Sequence, residues 1–290
     1  MSNSLNTPDK IATSPGPEAL AGRKAVKVAW LTDIHLNFIK MPGIRDFCGK
    51  VREVGPDAVF LTGDIGEAPD VGAHLLTLER ELHRPIYFVL GNHDFYKSTF
   101  AEVKEHIAGL VEDSRWLRWV SRDGVVELTP GTGLLGHEGW PDGRLGLAAG
   151  SPVMVSDFLL IGDLMGLPRG ELFQRLNFLG DEAAQFFREK LPGALSRFQN
   201  LIVLCHVPPF REATWHEGKI SNDDYLPHFS CKAVGEVLRD FMERHEDRTM
   251  TVLCGHTHGA GEAKILPNLL VKTGGARYGR PQIQEVFSVE

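Results

Sequence analysis

Five short groups of acidic, amide and imidazole side chains are spread along the chain, and these residue types could bind divalent metal ions. The groups are Asp33-x-His35, Gly63-Asp64, Gly91-Asn92-His93-Asp94, His206 and Gly255-His256-x-His258. In an extended segment a two-residue step places both side chains on one side, so the carboxylate and imidazole of the first group can hold one ion. A mixture of carboxylate, amide and imidazole ligands suits a pair of borderline divalent metals.

A pair of neighbouring ions also needs a ligand that can bridge them. A carboxylate offers two oxygens, whereas an imidazole nitrogen has only one lone pair to give. Asp64 is therefore expected to be the bridging ligand.

Each polar group directly follows a predicted β-strand. The five strands share a short and mostly apolar composition, which is typical of strands covered on both faces. They span residues 26–32, 58–62, 86–90, 201–205 and 249–254. In open α/β sheets the carboxyl ends of strands face a common crevice where ligands bind, so we expect the five groups to meet. Glycines 63, 91 and 255 stand just before ligand candidates, where the lack of a Cβ allows a sharp turn and close approach.

Helices are predicted between the strands, as in a layered α/β domain. Ser98 or Thr99 can cap a helix that ends near residue 111, Ser230 can cap a second, and residues 181–191 form a third. The middle of the chain, residues 116–156, is richer in glycine and in alternating apolar residues, which predicts antiparallel strands. Shorter strands are expected near residues 264–266, 269–273 and 284–288.

Composition limits the classes of protein that fit. The 290 residues carry 42% hydrophobic and 24% charged residues, and no apolar run approaches the roughly 20 residues that cross a bilayer. The net charge of −7 disfavours an extended nucleic-acid surface. Four cysteines without C-x-x-C spacing predict reduced, mostly buried thiols and a cytoplasmic protein.

The expected domain organisation is simple. Residues 1–24 are rich in Ser, Asn, Pro and Gly and contain no apolar signal-peptide core, so they are predicted to form a disordered arm. Because the ligand candidates come from both ends of the remaining chain, residues 25–290 are predicted to form a single domain.

In their order, the five groups resemble the signature of the calcineurin-like metallophosphoesterase superfamily, which runs D-x-H, G-D, G-N-H-D/E, H and G-H-x-H. The resemblance extends from Asp33 to His258. It implies a four-layer αββα sandwich of two mixed sheets flanked by helices, with a binuclear metal centre at the strand carboxyl ends. The serine/threonine phosphatase branch carries G-D-x-H-G and G-D-x-x-D-R-G, whereas this chain has Thr32-Asp33-Ile34-His35-Leu36 and Gly63-Asp64-Ile65-Gly66-Glu67. The chain is more similar to the bacterial phosphodiesterases and small-substrate phosphatases.

The resemblance also implies a role for individual residues. One ion would be held by Asp33, His35 and His258, with Asp64 bridging, and the second by Asn92, His206 and His256. The ions would be Mn, Fe or Zn. His93 matches the family histidine that lies outside the metal shell and acts on the leaving group. Glu67 matches a position where some relatives place a residue that orients this histidine, and the alternative is a surface glutamate.

The expected activity is metal-dependent hydrolysis of a small phosphodiester or phosphomonoester. A hydroxide shared by the two ions would attack phosphorus, and His93 would protonate the departing oxygen as general acid. Two alternatives stay open: a DNA or RNA nuclease of the same superfamily, which the acidic net charge disfavours, and a non-catalytic scaffold that keeps the fold. The expected binding partner is a small phosphate ester, and no binding to a membrane is expected. The oligomeric state is not predicted.

A few further positions have open interpretations. Arg211, Arg277 and Tyr278 are each either substrate contacts or exposed loop residues. Residues 137–140, which begin with His137, either form a substrate wall with Tyr96 or a plain turn. Asp94 is expected to accept hydrogen bonds from backbone N–H groups of its own loop.

Overall fold

A computed structural model describes Leu20 and residues 23–290 of the chain. Most of the predicted N-terminal arm, residues 1–19 and 21–22, lies outside the described residues. Among the helices of the described part, none has the length and apolar character needed to cross a membrane.

The strands and helices alternate along the chain. The strands are β1 (Val26–Leu31), β2 (Ala58–Thr62), β3 (Ile86–Val89), β4 (Leu117–Trp119), β5 (Val126–Thr129), β6 (Thr132–His137), β7 (Asn200–Cys205), β8 (Trp215–His216), β9 (Lys219–Ile220), β10 (Thr249–Cys254), β11 (Gly261–Leu266), β12 (Leu269–Thr273) and β13 (Glu285–Val289). The helices are α1 (Met41–Glu53), α2 (Val71–Leu82), α3 (Phe100–Glu112), α4 (Val120–Asp123), α5 (Asp157–Leu160), α6 (Arg169–Arg197), α7 (Leu226–Phe229) and α8 (Lys232–Glu243).

Two mixed sheets form the centre of the fold. The first has the order β13-β1-β2-β3-β4, in which β13 is antiparallel and the others are parallel. The second has the order β11-β12-β10-β7-β6-β5, with antiparallel strands at both edges and four parallel strands between them. The strands that precede the polar groups are β1, β2 and β3 of the first sheet and β7 and β10 of the second. Both sheets therefore contribute to one site.

The two sheets pack face to face, with helices on their outer faces. Alternation along β1 shows this arrangement, because Val28 and Trp30 belong to the core between the sheets while Ala29 and Leu31 belong to the core beneath α1–α3. The outer face of the second sheet packs on α6 and α8 through residues such as Phe187. The order helix, sheet, sheet, helix confirms the predicted four-layer sandwich.

The predicted strands are confirmed to within one residue at each end, except that the strand expected near residues 264–266 begins three residues earlier, at Gly261. Thr99 caps α3 as expected. All four cysteines are buried and unpaired.

Two helix predictions need correction: one helix is longer than predicted, and the other has a different N-cap residue. Residues 181–191 lie inside the 29-residue helix α6, which continues through Pro192 because Leu191, Ala194 and Leu195 are buried in the core on either side of the proline. Cys231 rather than Ser230 is the N-cap of α8, because the Ser230 hydroxyl donates to the Leu226 carbonyl oxygen.

The middle of the chain is less antiparallel than predicted. Only β5 and β6 form an antiparallel pair there, whereas β4 and β6 pair in parallel with β3 and β7. The glycine-rich stretch after β6 contains no further strand up to residue 156 of the described chain. The prediction of antiparallel strands over 116–156 was therefore correct only for one hairpin.

The capping box of α3 supports a first testable prediction. Thr99 Oγ1 accepts a hydrogen bond from the Glu102 backbone N–H, and the Glu102 carboxylate accepts one from the Thr99 N–H, each at 3.2 Å. Thr99→Ala removes the side-chain acceptor and should lower the free energy of unfolding by about 1 kcal/mol. Thr99→Ser keeps the acceptor and should stay close to wild type in the same urea titration. Equal stability of all three proteins would contradict a stabilising cap.

Candidate metal centre

The polar groups after the five strands converge at one edge of the sandwich. The structure brings together Asp33, His35, Asp64, Asn92, His93, His206, His256 and His258. Five of these have a positive φ although none is glycine: Asp33 (48°), His35 (40°), Asp64 (53°), His256 (71°) and His258 (58°). Non-glycine residues in this region are strained and concentrate at functional sites. Backbone bonds from Asp33 to Gly63 and from His35 to Asp64, both 3.0 Å, help to hold these turns.

One cluster of donor atoms consists of two carboxylates and two imidazoles. His35 Nε2 lies 3.1 Å from His258 Nε2 and 3.7 Å from Asp64 Oδ2, and His258 Nε2 lies 3.4 Å from Asp33 Oδ1. Ligand atoms of all four residues lie within 4.8 Å of one another. Nitrogen and oxygen ligands at about 2.1 Å from one ion are separated by about 3–3.5 Å, so the spacing fits a shared ion. Burial lowers the pKa of His35 to about 4, which keeps its imidazole neutral and able to donate a lone pair.

A second cluster surrounds the Asn92 side-chain oxygen. His206 Nε2 lies 2.9 Å and His256 Nδ1 2.8 Å from Asn92 Oδ1. The other ring nitrogens face backbone carbonyls, with His206 Nδ1 2.8 Å from the Thr62 oxygen and His256 Nε2 2.9 Å from the His228 oxygen. Each carbonyl holds the single proton of a neutral imidazole, because a carbonyl can only accept. Burial lowers the pKa of both histidines, which favours the neutral form.

The second cluster therefore places three lone pairs against one another with no proton between them. Such an arrangement is unfavourable unless a cation lies among the donors. A divalent ion of the borderline type fits these amide and imidazole ligands.

Asp64 lies between the two clusters. Its Oδ2 faces His35, and its Oδ1 lies 3.3 Å from His206 Nε2 and accepts a 2.9 Å hydrogen bond from the His93 backbone N–H. Burial and the nearby Asp33 carboxylate raise the pKa of Asp64 well above its usual range. A carboxylate with one oxygen toward each cluster has the geometry that a bridging ligand needs, and bound cations would offset the cost of burying its charge.

Asp157, at the start of α5, was not identified from the sequence. Its Oδ1 accepts hydrogen bonds from Asn92 Nδ2 at 2.8 Å and from the Tyr96 hydroxyl at 2.6 Å. These bonds orient the Asn92 amide so that its oxygen faces the two histidines. The residue lies just after the stretch 116–156 that was predicted to contain strands, and no local signal connects it with a strand end 65 positions earlier.

This contact gives a prediction about metal affinity. Asp157→Ala leaves the Asn92 Nδ2 group with its longer 3.2 Å hydrogen bond to the Tyr96 hydroxyl, and loss of an outer partner of this kind typically lowers metal affinity by about 10–100-fold. Asp157→Asn keeps an oxygen at the accepting position and should retain most of the affinity. Competition with a chromogenic chelator measures both variants without reference to turnover. Wild-type affinity for every bound ion in Asp157→Ala would show that Asn92 needs no such partner.

His93 occupies a different position from the other histidines. Its ring stacks on Tyr96 with centroids 4.3 Å apart, its Nε2 lies 3.8 Å from Asp64 Oδ2, and its Nδ1 is buried without a hydrogen-bond partner. Burial, followed by the charge of His35, lowers its pKa to about 2. The His93 ring lies beside the donor clusters and borders the cleft, where a substrate group could contact it.

The predicted partner of His93 lies elsewhere. The Glu67 carboxylate forms an ion pair with the Lys97 ammonium, and no bond joins it to His93 among the described residues. The orienting role expected for Glu67 therefore has no support in this geometry. Asp94 accepts a hydrogen bond from the Gly91 N–H of its own loop at 2.8 Å, as predicted, and it also accepts from the N–H groups of Ile65 and Gly66 in the loop after β2, both at 2.9 Å.

The glycines before the ligand candidates are required by close approach. A Cβ on Gly91 would lie 2.2 Å from Asp64 Oδ1, and one on Gly255 would lie 2.0 Å from Asp33 Oδ2. Gly63 combines a φ of +85° with a neighbouring His206 ring 2.6 Å from its Cβ position. The expectation of tight turns and close neighbours at these positions is confirmed.

A cleft of about 270 Å³ opens onto the donor clusters and His93. Tyr278 and Tyr96 line it. Arg211, a candidate substrate contact in the sequence, forms an ion pair with Asp223 at 2.7 Å.

Residues 137–140 do not form a substrate wall. The buried Glu138 accepts from the Trp119 indole N–H at 2.7 Å, and Trp140 packs against Phe95 and Phe100. Of the side chains in the predicted wall, only Tyr96 borders the cleft.

Comparison with known proteins agrees with this architecture. A family model described as calcineurin-like phosphoesterase matches residues 26–260. The phosphopantetheinyl hydrolase from Mycobacterium tuberculosis is similar in structure, with a TM-score of 0.56, 13% identity, and coverage of 86% of this chain and 89% of that chain. A dimetal phosphatase from Danio rerio gives a TM-score of 0.55, 14% identity, and coverage of 86% and 87%. No curated protein sequence matches the chain. At these identities the structural likeness shows a shared fold.

Proposed function

The chain belongs to the calcineurin-like phosphoesterase family, and from that premise we propose that it hydrolyses a small phosphodiester or phosphomonoester with two divalent ions. The observation that carries the proposal is the placement of Asp64 between two clusters of lone-pair donors. The second cluster has no proton to place between its three donor atoms, and the first gathers two carboxylates and two imidazoles within 4.8 Å. A metal-dependent phosphoesterase is the activity that such a donor set serves.

The proposed ligands divide according to the side of Asp64 on which they lie. Asp33, His35 and His258 would hold one ion, and Asn92, His206 and His256 the other, each drawn from Mn, Fe or Zn. When bound, such ions lower the pKa of water and offset the charge of a phosphoryl group. The protein's own contribution is to hold the donors in place through strained turns and through the carbonyls that fix the histidine tautomers.

His93 would act on the leaving group. It borders the cleft, its ring is oriented by the Tyr96 stack, and its backbone N–H donates to Asp64 Oδ1. An imidazolium there can donate a proton to the departing oxygen. The negative charge of a bound phosphoryl group would favour protonation of His93, which burial opposes in the free protein.

Metal-reconstituted hydrolysis tests the proposal. Metal-free protein would be supplied with Mn, Fe(II) or Zn and assayed against p-nitrophenyl phosphate, bis-p-nitrophenyl phosphate, cyclic nucleotides and a DNA oligonucleotide. We expect metal-dependent release of product from at least one small ester and none from the oligonucleotide. Absence of both metal binding and hydrolysis would overturn the proposal and favour a scaffold. Cleavage of the oligonucleotide alone would favour the nuclease.

A further inference from the structure

The cleft beside the donor clusters has aromatic and aliphatic walls. Tyr278 is half exposed, and its ring centroid lies 4.6 Å from that of His35 and 5.1 Å from that of His258. Phe38, also half exposed, lies 4.7 Å from the Tyr278 ring and extends this surface. Met154, whose side chain is 66% exposed, lines the same cleft. Large apolar side chains left open to solvent in one place are typical of a binding surface.

The cleft also lacks basic side chains. Among the described residues that line it, none is lysine or arginine. Within this lining a phosphoryl group would therefore rely on ions in the donor clusters. A second phosphate in the cleft would meet no lysine or arginine among the described lining residues.

From these two observations we infer that the substrate carries one phosphoryl group joined to an apolar organic group that contains a ring. The ring would pack against Tyr278 and the neighbouring aliphatic lining while the phosphoryl group lies at the donor clusters. Aromatic rings gain both from removal of apolar surface from water and from offset or edge-to-face contact with one another. The inference rests on the proposed function, because it assigns the organic part of the same substrate.

Non-hydrolysable phosphonates separate ring recognition from leaving-group chemistry. Inhibition constants for benzylphosphonate and methylphosphonate would be measured on the metal-reconstituted protein, with any ester that it hydrolyses as reporter. The two compounds share the phosphonate group and differ in the ring. We expect benzylphosphonate to bind about tenfold more tightly. With metal in excess, adenosine 5′-diphosphate should inhibit no better than adenosine 5′-monophosphate.

Variants at Tyr278 locate the effect. Tyr278→Ala should abolish most of the preference for benzylphosphonate while methylphosphonate binds as before, and Tyr278→Phe should keep the preference. Phe178→Ala is the matched control, because Phe178 is equally exposed at 51% but lies on α6 outside the cleft lining. It should leave both inhibition constants unchanged.

The outcomes distinguish this inference from the proposed function. Hydrolysis of an ester together with equal inhibition by the two phosphonates would overturn the inference and leave the phosphoesterase intact. A preference for benzylphosphonate that survives Tyr278→Ala would also overturn it, since the ring would then bind elsewhere. Failure to hydrolyse any ester would instead count against the proposed function.

Discussion

Replacing Asp64 with alanine is expected to release bound metal and to slow hydrolysis by about a thousandfold or more. Asp64 Oδ2 faces the His35 cluster and Oδ1 faces the His206 cluster, so the change removes one donor from each at once. The remaining ligands of each cluster lose the negative charge that most favours a divalent cation. Because metal ions contribute several kcal/mol of transition-state stabilisation, their loss is expected to dominate the rate.

The effect has to be separated from a failure to fold. Asp64→Asn keeps the size of the side chain and an oxygen that can accept from the His93 N–H, yet it cannot bridge as a carboxylate does. It should fold normally and still lose at least one ion. Asp70→Ala, at an exposed aspartate that makes no capping hydrogen bond at the start of α2, should retain full metal content.

Elemental analysis after dialysis would measure the number of ions per chain and so test whether Asp64 bridges two ions. Circular dichroism would check that each variant is folded. If folded Asp64→Ala retains two ions per chain, Asp64 is not a bridge. If folded Asp64→Asn retains two ions, an uncharged oxygen suffices at this position and the charge argument is wrong.

Much of the site was predictable because its residues stand at strand ends. Runs such as Ala58–Thr62 identify buried strands, and parallel strands deliver their carboxyl ends to one edge. The position of Asp64 after such a run therefore placed it at that edge, with Gly63 providing the turn. The prediction needed only local pattern and the general behaviour of open sheets.

Other contacts depend on packing between distant segments. Asp157 meets Asn92 only because the loop after β6 folds back over the cleft, and nothing near Asp157 in sequence encodes that contact. Glu67 stands at the spacing expected for a partner of His93, but its carboxylate forms an ion pair with the Lys97 ammonium. Spacing along the chain could not show which of the two partners Glu67 contacts.

Domain organisation remains a prediction for residues 25–290. The binding of ions to Asp33 and His258, which lie near opposite ends of this span, would tie both ends of the chain to one site. Metal addition should then stabilise both sheets in a single unfolding transition.

His93→Ala should slow turnover by about 10²–10⁴-fold while metal content stays near that of the wild type. The His93 ring stacks on Tyr96 and its Nε2 lies 3.8 Å from Asp64 Oδ2, but His93 is not itself a proposed ligand, so its removal leaves all the proposed ligands in place. His106→Ala, an exposed histidine on α3, is the matched control and should change neither quantity.

The size of the His93 effect should depend on the ester. A nitrophenolate leaves without a proton, whereas an alkoxide needs one, so His93→Ala should slow alkyl esters far more than nitrophenyl esters.

The pH dependence of turnover also reports on the proton that His93 donates. Burial lowers the pKa of His93 to about 2 in the free protein, and the bound phosphoryl group must raise it for the ring to act as an acid. Turnover of an alkyl ester by the wild type should therefore fall as pH rises through the pKa of the complex, and that alkaline limb should be missing in His93→Ala. Equal slowing of both esters, or loss of metal from the variant, would mean that His93 serves the metal centre instead of the leaving group.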